Sequence, residues 1–225
     1  MNRSPSVPRQ RLDRVIVASL DGPARYQPTV HWAWEEATRR RLPLRVVHHA
    51  GSGALADAQL LVTGLRDTDP ALLPGCPVVL VPEATAPSPD AEIVLGVDAR
   101  RPCPAAVDFA FEAAGSWGVR LRAVHAWQLP AARAELPFAV PEEDRATWED
   151  EEVQTLRDAL RPWRGDHPEV RVLEDVRLLA PARALVQRSA RAGLVVVGRD
   201  GGRSPGTTVR ALLRDARCPV AVIPA

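Results

Sequence analysis

A glycine-rich segment near the end of the chain is the strongest candidate for a binding site. The apolar run Leu194–Gly198 leads into RDGGRSPG, and a helix is predicted to open near Thr207. Glycines let a backbone approach a ligand closely, and free N–H groups at a helix start attract anions. Arg199 and Arg203 add positive charge beside this segment. The pattern therefore predicts a cradle for a phosphate or a similar anion.

Asp98 is the second candidate, because it ends an apolar run that is typical of a strand buried on both faces. In a parallel α/β sheet, the carboxyl ends of neighbouring strands border one crevice where ligands collect. We therefore expect Asp98 and the glycine loop to face one ligand. The structural alternative is a surface loop of tight turns, with Asp98 capping the helix that follows it.

The charged residues exclude several function classes. The 29 basic and 28 acidic residues give a net charge of +1, which offers no global attraction for nucleic acid or an acidic membrane. All 29 basic residues are arginine. Without lysine there is no phosphate-loop lysine, no Schiff base and no lysine general base. We expect no catalytic residues.

The cysteines and apolar segments add little chemistry. Cys76, Cys103 and Cys218 are isolated from one another and from histidines at metal-ligand spacing, so neither a metal site nor a disulfide framework is expected. No stretch approaches the roughly 18 apolar residues of a membrane helix, and the first residues lack the apolar core of a signal peptide. The expected location is the cytoplasm, without a membrane partner.

Two short motifs fail on their context. GSGALA, at 51–56, fits the loose dinucleotide fingerprint, but the next strand begins near Leu60 and leaves no room for the helix that would hold a pyrophosphate. GRSPG, at 202–206, matches the nucleophile elbow of the α/β-hydrolases. There the residue after the serine donates its backbone N–H to the oxyanion, and Pro205 has none to donate.

The elements that position the candidates come from an internal repeat. At a constant offset of 77 residues, which places Asp21 on Asp98, three segments match: RVIVASLDG with EIVLGVDAR, WAWEEA with FAFEAA and LRVVHHA with LRAVHAW. Repetition on this scale indicates two copies of one supersecondary unit. Each copy is predicted to be a strand, a helix and a strand with a right-handed crossover.

The copies then diverge in length but not in order. ADAQLLVTG matches ARAGLVVVG and GCPVVLVP matches RCPVAVIP, but the offset has grown to 134 residues. The additional segment of the second copy predicts a helix near 146–163, a strand near 170–178 and a helix near 181–192. We predict a truncated domain at 13–83 and a complete domain at 91–225, joined by a linker rich in proline and small residues.

The second copy resembles the universal stress protein family. The likeness is carried, in order and spacing, by GVD at 96–98, VHAW at 124–127, LVVVGRDG at 194–201 and ARCPVAVIP at 216–224. The whole chain looks like a tandem universal stress protein with a truncated N-terminal copy. The resemblance implies a parallel five-stranded sheet with helices on both faces, the adenine nucleotide alpha hydrolase-like fold, and dimer-like pairing through the last strands.

The resemblance also implies a site for ATP with Mg²⁺ in the second copy. Its nucleotide-binding residues map onto Val97, Asp98, Ala126, Gly198, Arg199, Gly201, Gly206 and Thr207. The loop from Gly201 to Gly206 is five residues shorter than the family pattern, and Asp200 puts a negative charge in it. The first copy has Gly64 but no second glycine, so we predict that it binds no nucleotide and packs its last strand, 77–81, against 219–223.

Two functions follow as expectations. The first is a regulatory or stress-response protein that binds ATP or a related adenine nucleotide in its C-terminal domain, with weak ATP hydrolysis left open. The alternative is a nucleotide-free interaction or scaffold module with a degenerate site. A hydrolase or transferase of the same architecture would need a base or catalytic lysine that the sequence lacks. The expected assembly is an intramolecular pseudo-dimer or a homodimer.

Overall fold

The computed structural model describes residues 14–20, 27–48, 52–65, 73–83, 91–129, 142–199 and 206–225. The linker at 84–90 lies outside the described residues, and so do Asp200, Gly201 and Arg203. Statements below about the glycine loop therefore concern its two ends, Arg199 and Gly206.

The N-terminal half contains four strands and one α-helix. They are β1 (Val15–Ser19), α1 (Gln27–Arg40), β2 (Leu44–Val47), β3 (Ala58–Gly64) and β4 (Val78–Val81), with a short 3₁₀ turn at Ser52–Leu55. β1 and β2 pair in parallel through the α1 crossover, as the repeat predicts for a strand, helix and strand unit.

The C-terminal half repeats this unit and adds to it. Its elements are β5 (Glu92–Gly96), α2 (Pro104–Trp117), β6 (Leu121–Trp127), α3 (Glu142–Asp166), β7 (Val172–Leu178), α4 (Pro181–Ser189), β8 (Ala192–Arg199), α5 (Thr207–Asp215) and β9 (Val220–Pro224). β1, α1 and the four residues of β2 each have their counterparts at the 77-residue offset. α3 is longer than the predicted 146–163 at both ends, and α4 stops before the predicted residue 192.

All nine strands form one sheet in the order β2-β1-β3-β4-β9-β8-β5-β6-β7. Every pair is parallel except β4 with β9, which run antiparallel with Val79 opposite Ala221. The five C-terminal strands thus form the expected parallel sheet. Antiparallel pairing of β4 with β9 joins the halves, as predicted for the last strands of the two copies.

Helices cover both faces of the sheet, because most of its strands are apolar on both sides. On one face, α1, α2 and α3 enclose a core with Phe111, Leu156 and Leu160 fully buried. On the other face, Leu185 of α4 and Leu212 of α5 pack against β8 and β9 residues such as Val195. None of the helices in the described part of the chain is long and apolar enough to cross a membrane.

Candidate functional site

A cavity of about 880 Å³ opens at the carboxyl edge of the C-terminal strands. It lies between the ends of β5, β6 and β8, the first turn of α5 and one side of α3. This is the edge at which ligands collect in open α/β sheets. Its volume falls in the range of pockets that hold drug-sized small molecules.

The cavity gathers all the described residues that the sequence singled out for nucleotide binding. The lining includes Val97, Asp98, Ala126, Gly198, Arg199, Gly206 and Thr207. Gly201 lies outside the described residues. The structure therefore brings these positions into one place, while their roles toward a ligand remain predictions.

Asp98 forms part of a tight turn at the mouth of this cavity. Its Oδ1 accepts a hydrogen bond from the backbone N–H of Arg100 at 3.0 Å. Its Oδ2 lies 3.6 Å from Nε of Arg101. About half of the side chain stays exposed. Asp98 thus has the local capping role of the structural alternative, and it keeps an oxygen accessible from the cavity.

The first turn of α5 is a suitable place for an anion. Gly206 is the N-cap residue and provides no side chain to cap the helix, and the first turn contains no acidic residue. The first three N–H groups of a helix have no intrahelical partner, and here they belong to Thr207, Thr208 and Val209, which line the cavity. Their partial positive charge favours a phosphate or carboxylate.

Gly198 lies against the start of α2. A Cβ at this position would come within 2.7 Å of Cβ and 3.0 Å of Sγ of Cys103. Those distances are shorter than van der Waals contact, so the close approach of β8 to α2 requires glycine here. The glycine therefore has a packing role in addition to any role toward a ligand.

Arg199 makes a contact that the sequence did not predict. Its guanidinium donates to the carbonyl oxygens of Leu73 at 3.2 Å and Pro74 at 2.7 Å, both in the segment before β4. The expectation was that this side chain attracts a phosphate. In the structure its charge is held by the N-terminal half, and the residue connects that half to the rim of the cavity.

A buried ionic cluster forms the cavity wall next to α3. Arg100 donates two hydrogen bonds to the carboxylate of Glu152, both at 2.6 Å. Nε2 of the buried His125 lies 3.0 Å from the same carboxylate. These hydrogen bonds, with that from Arg100 the largest, hold the pKa of Glu152 below its usual value, although burial opposes the shift. Glu152 is thus a stable anion that ties α3 to the turn after β5.

His125 also fixes the turn that carries Asp98. The backbone N–H of Ala99 donates to Nδ1 of His125 at 3.3 Å, and the carbonyl oxygen of Val97 lies 3.2 Å from the same nitrogen. The ring therefore contacts the residues on both sides of Asp98. Sequence reasoning missed this cluster, since Glu152 sits in an acidic run that predicts a solvated helix start. VHAW was the one signal that marked His125.

Chemistry other than binding finds little support among the described residues. They contain no group of three or more His, Cys, Asp or Glu that could hold a metal ion. Burial raises the pKa of Cys218 to about 12 and also raises the pKa of Cys76, so neither thiol is activated. The cavity is equipped to bind a polar ligand with an anionic end.

These features define a class: an α/β protein of two fused halves, with a ligand cavity at the carboxyl edge of its complete half. The model of the universal stress protein family matches residues 91–224. The chain belongs to the universal stress protein family. The match covers the C-terminal half and confirms the resemblance seen in the sequence there.

Relatives in mycobacteria support this assignment. The chain is 36% identical over 185 residues to universal stress protein Rv2005c of Mycobacterium tuberculosis, covering 79% of this chain and 60% of that protein. It is 34% identical over 155 residues to universal stress protein Rv2623 of the same organism, covering 65% of this chain and 50% of that protein. The chain therefore spans about half to 60% of the length of these relatives.

Solved structures support the fold over nearly the full chain. A universal stress protein from Archaeoglobus fulgidus superposes with a TM-score of 0.52 at 12% identity, covering 96% of this chain and 99% of that one. A protein of unknown function from Pseudomonas aeruginosa, PA1789, gives a TM-score of 0.50 at 14% identity, covering 95% and 93%. At these identities the likeness concerns the fold alone.

Proposed function

We propose that this protein is a non-catalytic regulatory protein that binds ATP or a related adenine nucleotide in its C-terminal half. One observation carries the proposal: a single cavity of about 880 Å³ joins Asp98, the end of β6 at Ala126 and the N-terminus of α5. Asp98 supplies an acceptor for ribose hydroxyls, the backbone at Ala126 supplies polar groups for the base, and the first turn of α5 supplies N–H donors for phosphates.

The residues present fit such a ligand. The cavity is large enough for a nucleotide, and its walls combine two arginines, Arg100 and Arg101, with the apolar Val124 and Leu185. Mg²⁺ would be bound mainly by the phosphates and water, since it seldom needs a dedicated protein cage. When bound, ATP would add charge at the start of α5 and so provide a signal that the protein can pass on.

The charge at Gly206 provides the sharpest test. A Cβ at Gly206 would meet no atom within 4 Å, and its backbone φ of −60° suits any residue. We expect Gly206→Glu to weaken ATP binding at least tenfold, because a carboxylate at the helix start competes with phosphate. Gly206→Gln has the same shape without the charge and should stay within about threefold. Glutamate near a helix N-terminus favours the fold, so misfolding would not explain the loss.

Calorimetry on the full chain gives the readout, with ATP, GTP and adenosine compared in the presence and absence of Mg²⁺. ATP should bind more tightly than GTP, and adenosine should bind weakly and respond equally to the two Gly206 variants. An absence of heat from the unmodified protein at millimolar ATP overturns the proposal. Equal binding of ATP by the glutamate and glutamine variants would remove the start of α5 from the site.

The second candidate is a nucleotide-free interaction or scaffold module. The contact of Arg199 with the carbonyl oxygens of Leu73 and Pro74 favours it, because a cation beside the glycine loop is committed to the N-terminal half. Under this function, Arg199→Ala would lower the stability of the protein without altering any nucleotide affinity. A tighter or weaker ATP complex in that variant would favour the first candidate.

A further inference from the structure

The two copies of the repeat differ in what covers them. α1 and α2 match residue for residue at the 77-residue offset, so Trp34 corresponds to Phe111 and Val46 of β2 corresponds to Ala123 of β6. Phe111 and Ala123 are both 0% exposed, whereas Trp34 is 57% and Val46 is 47% exposed. Equivalent positions are thus buried in one half and open in the other.

The C-terminal half shows what normally fills this place. α3 packs Leu156 and Leu160 into the same core as Phe111, and Nε1 of Trp163 donates to Oδ1 of Asp108 on α2 at 2.5 Å. β7 then pairs with β6 along seven residues. α3 and β7 both belong to the segment that the N-terminal copy lacks, so its α1 and β2 keep the open surface.

We call this surface the β2 edge patch: the outer edge of β2 (Leu44–Val47) together with Trp34. β2 is the terminal strand of the sheet and pairs with β1 alone among the described strands. Open strand edges invite pairing with another chain, and proteins usually protect them with charges. The only charged residue of β2, Arg45, is neutralised by Asp57 through hydrogen bonds of 2.8 and 2.7 Å.

The opposite edge of the sheet is protected in the usual way. β7 contains Glu174, Asp175 and Arg177, and each of the two acids is paired with arginines. The ring neighbour of Trp34 is His31 of its own helix, at a centroid distance of 6.4 Å. The two ends of the sheet therefore differ, and the β2 edge patch is the apolar and unprotected one.

We propose that the β2 edge patch is a self-association surface on which a second copy of this chain pairs its own β2, antiparallel, across a two-fold axis. The strand is self-complementary in this arrangement. With Val46 opposite Val46 of the second copy, Arg45 lies opposite Val47 and not opposite another arginine, and both Trp34 side chains lie on the same face. The molecule already joins its halves by antiparallel pairing of β4 with β9, so the dimer extends one continuous sheet.

A two-fold contact predicts charge complementation at a single position. Val46→Arg and Val46→Glu each place like charges directly opposite one another in a homodimer, which disfavours cross-strand pairing. We expect each variant alone to be a monomer, with dimer dissociation weakened at least tenfold. An equimolar mixture of the two variants should restore the dimer, because arginine then faces glutamate. Val46 is half-exposed, so both variants should keep the circular dichroism spectrum and melting temperature of the unmodified chain.

Sedimentation velocity of the full chain over a wide concentration range measures these states. The unmodified protein should dimerise, and Leu178→Arg, a matched change at a 40% exposed leucine on β7, should leave the dimer intact. A monomer at all concentrations overturns the proposal. So does a dimer that Leu178→Arg disrupts and the Val46 variants do not. A mixture of the Val46 variants that stays monomeric rejects the two-fold geometry. The result does not depend on nucleotide, so it stands apart from the test of ATP binding.

Discussion

The indole Nε1 of Trp117, at the end of α2, donates a hydrogen bond of 2.8 Å to Oε2 of Glu36 in α1. The bond crosses from one half of the molecule to the other. Glu36 is fully buried, and its second oxygen accepts from Nε of Arg40 at 2.5 Å. The guanidinium of Arg39 lies 4.6 Å from the centroid of the Trp117 ring. A buried charge with partners from both halves makes the two copies interdependent.

Trp117→Phe should therefore destabilise the whole protein. The change keeps most of the ring contacts and removes the indole donor, which leaves one oxygen of a buried carboxylate poorly satisfied. We expect the free energy of unfolding to fall by about 1–3 kcal/mol. Urea unfolding followed by circular dichroism measures this, and it should show one transition for both halves.

Glu36→Gln supplies the control for this prediction. In a double-mutant cycle, the two changes should be non-additive, because they remove the same interaction. Additive effects would show that the loss in Trp117→Phe comes from ring packing against Trp32, whose centroid lies 6.2 Å away. Two separate unfolding transitions in the unmodified protein would contradict the interdependence of the halves.

The sequence predicted the elements well because their order and period repeat within the chain. The offset of 77 residues aligned α1 with α2 and β1 with β5, and it correctly left the N-terminal copy without β7. The contact of Trp117 with Glu36 was not predictable in this way. It joins positions 81 residues apart, on elements whose relative placement depends on the antiparallel pairing of β4 with β9.

The site divides along the same line. Asp98 and Gly198 end predicted strands, so sheet topology alone brings them to one edge. His125 and Glu152 needed the packing of α3 over β6, which follows from side-chain fit and not from spacing. Arg199 carried the correct charge, but its partners, two backbone carbonyls of the N-terminal half, leave no trace in a sequence. Local patterns were readable, and contacts between distant elements were not.

Gly198→Ala should be clearly destabilising, and Gly206→Ala should not. The added Cβ at Gly198 would lie 2.7 Å from Cβ of Cys103, which is part of the backbone framework at the start of α2 and has little freedom to move. We expect a loss of about 1–3 kcal/mol from such overpacking. At Gly206 a Cβ meets nothing within 4 Å, and the change should stay within about 1 kcal/mol, the usual cost of alanine at an N-cap.

Thermal and urea unfolding of the two alanine variants give the comparison. Cys103→Gly in the Gly198→Ala background removes the clashing Cβ and should recover part of the lost stability. Equal stability of the two alanine variants would mean that β8 and α2 move apart at little cost. Because Gly198 has this packing role, its variants are poor reporters of nucleotide binding, and Gly206 is the better position.

Stability should decline in acid partly through Glu152. Hydrogen bonds from Arg100 and His125 lower the pKa of this carboxyl in the folded state, so the folded protein binds its proton less readily than the unfolded chain does. Its stabilising contribution is therefore present above the unfolded pKa, near 4.3, and is lost as the pH falls through the lower folded value. Between neutral pH and about pH 3, the free energy of unfolding should fall more steeply in the unmodified protein than in Glu152→Gln.

Glu149→Gln is the matched control for this pH dependence, since Glu149 lies one turn earlier on α3 and is exposed. Its urea unfolding curves at each pH should follow those of the unmodified protein. Parallel pH profiles for the unmodified protein and Glu152→Gln would contradict a preferential stabilisation of the Glu152 anion. The ion pair is partly open to solvent through the exposed Arg100, so the difference should shrink in high salt.

Cys218 should resist thiol reagents until the protein opens. Its side chain is almost fully buried before β9, and burial raises its pKa to about 12, so hardly any thiolate exists at pH 8. Cys103 is only half-buried and should react first. Peptide mass spectrometry after timed alkylation measures the order, and sub-denaturing urea should accelerate Cys218 in proportion to the opening of β9. Equal rates for Cys218 and Cys103 in native buffer would contradict the burial of this strand.

Deleting residues 1–85 should convert the remaining chain into a dimer through β9. The deletion removes β4 and exposes the backbone edge of β9 that normally pairs with Val78–Leu80. β9 is apolar and buried on both faces, and an open apolar strand in the middle of a former sheet favours pairing with a second copy. The deleted segment also contains β2, so this dimer cannot form through the β2 edge patch. Sedimentation velocity of the purified 86–225 chain, with Val46→Arg in the full chain as the monomer reference, decides the matter: a well-behaved monomer would show that β4 is not needed to protect β9.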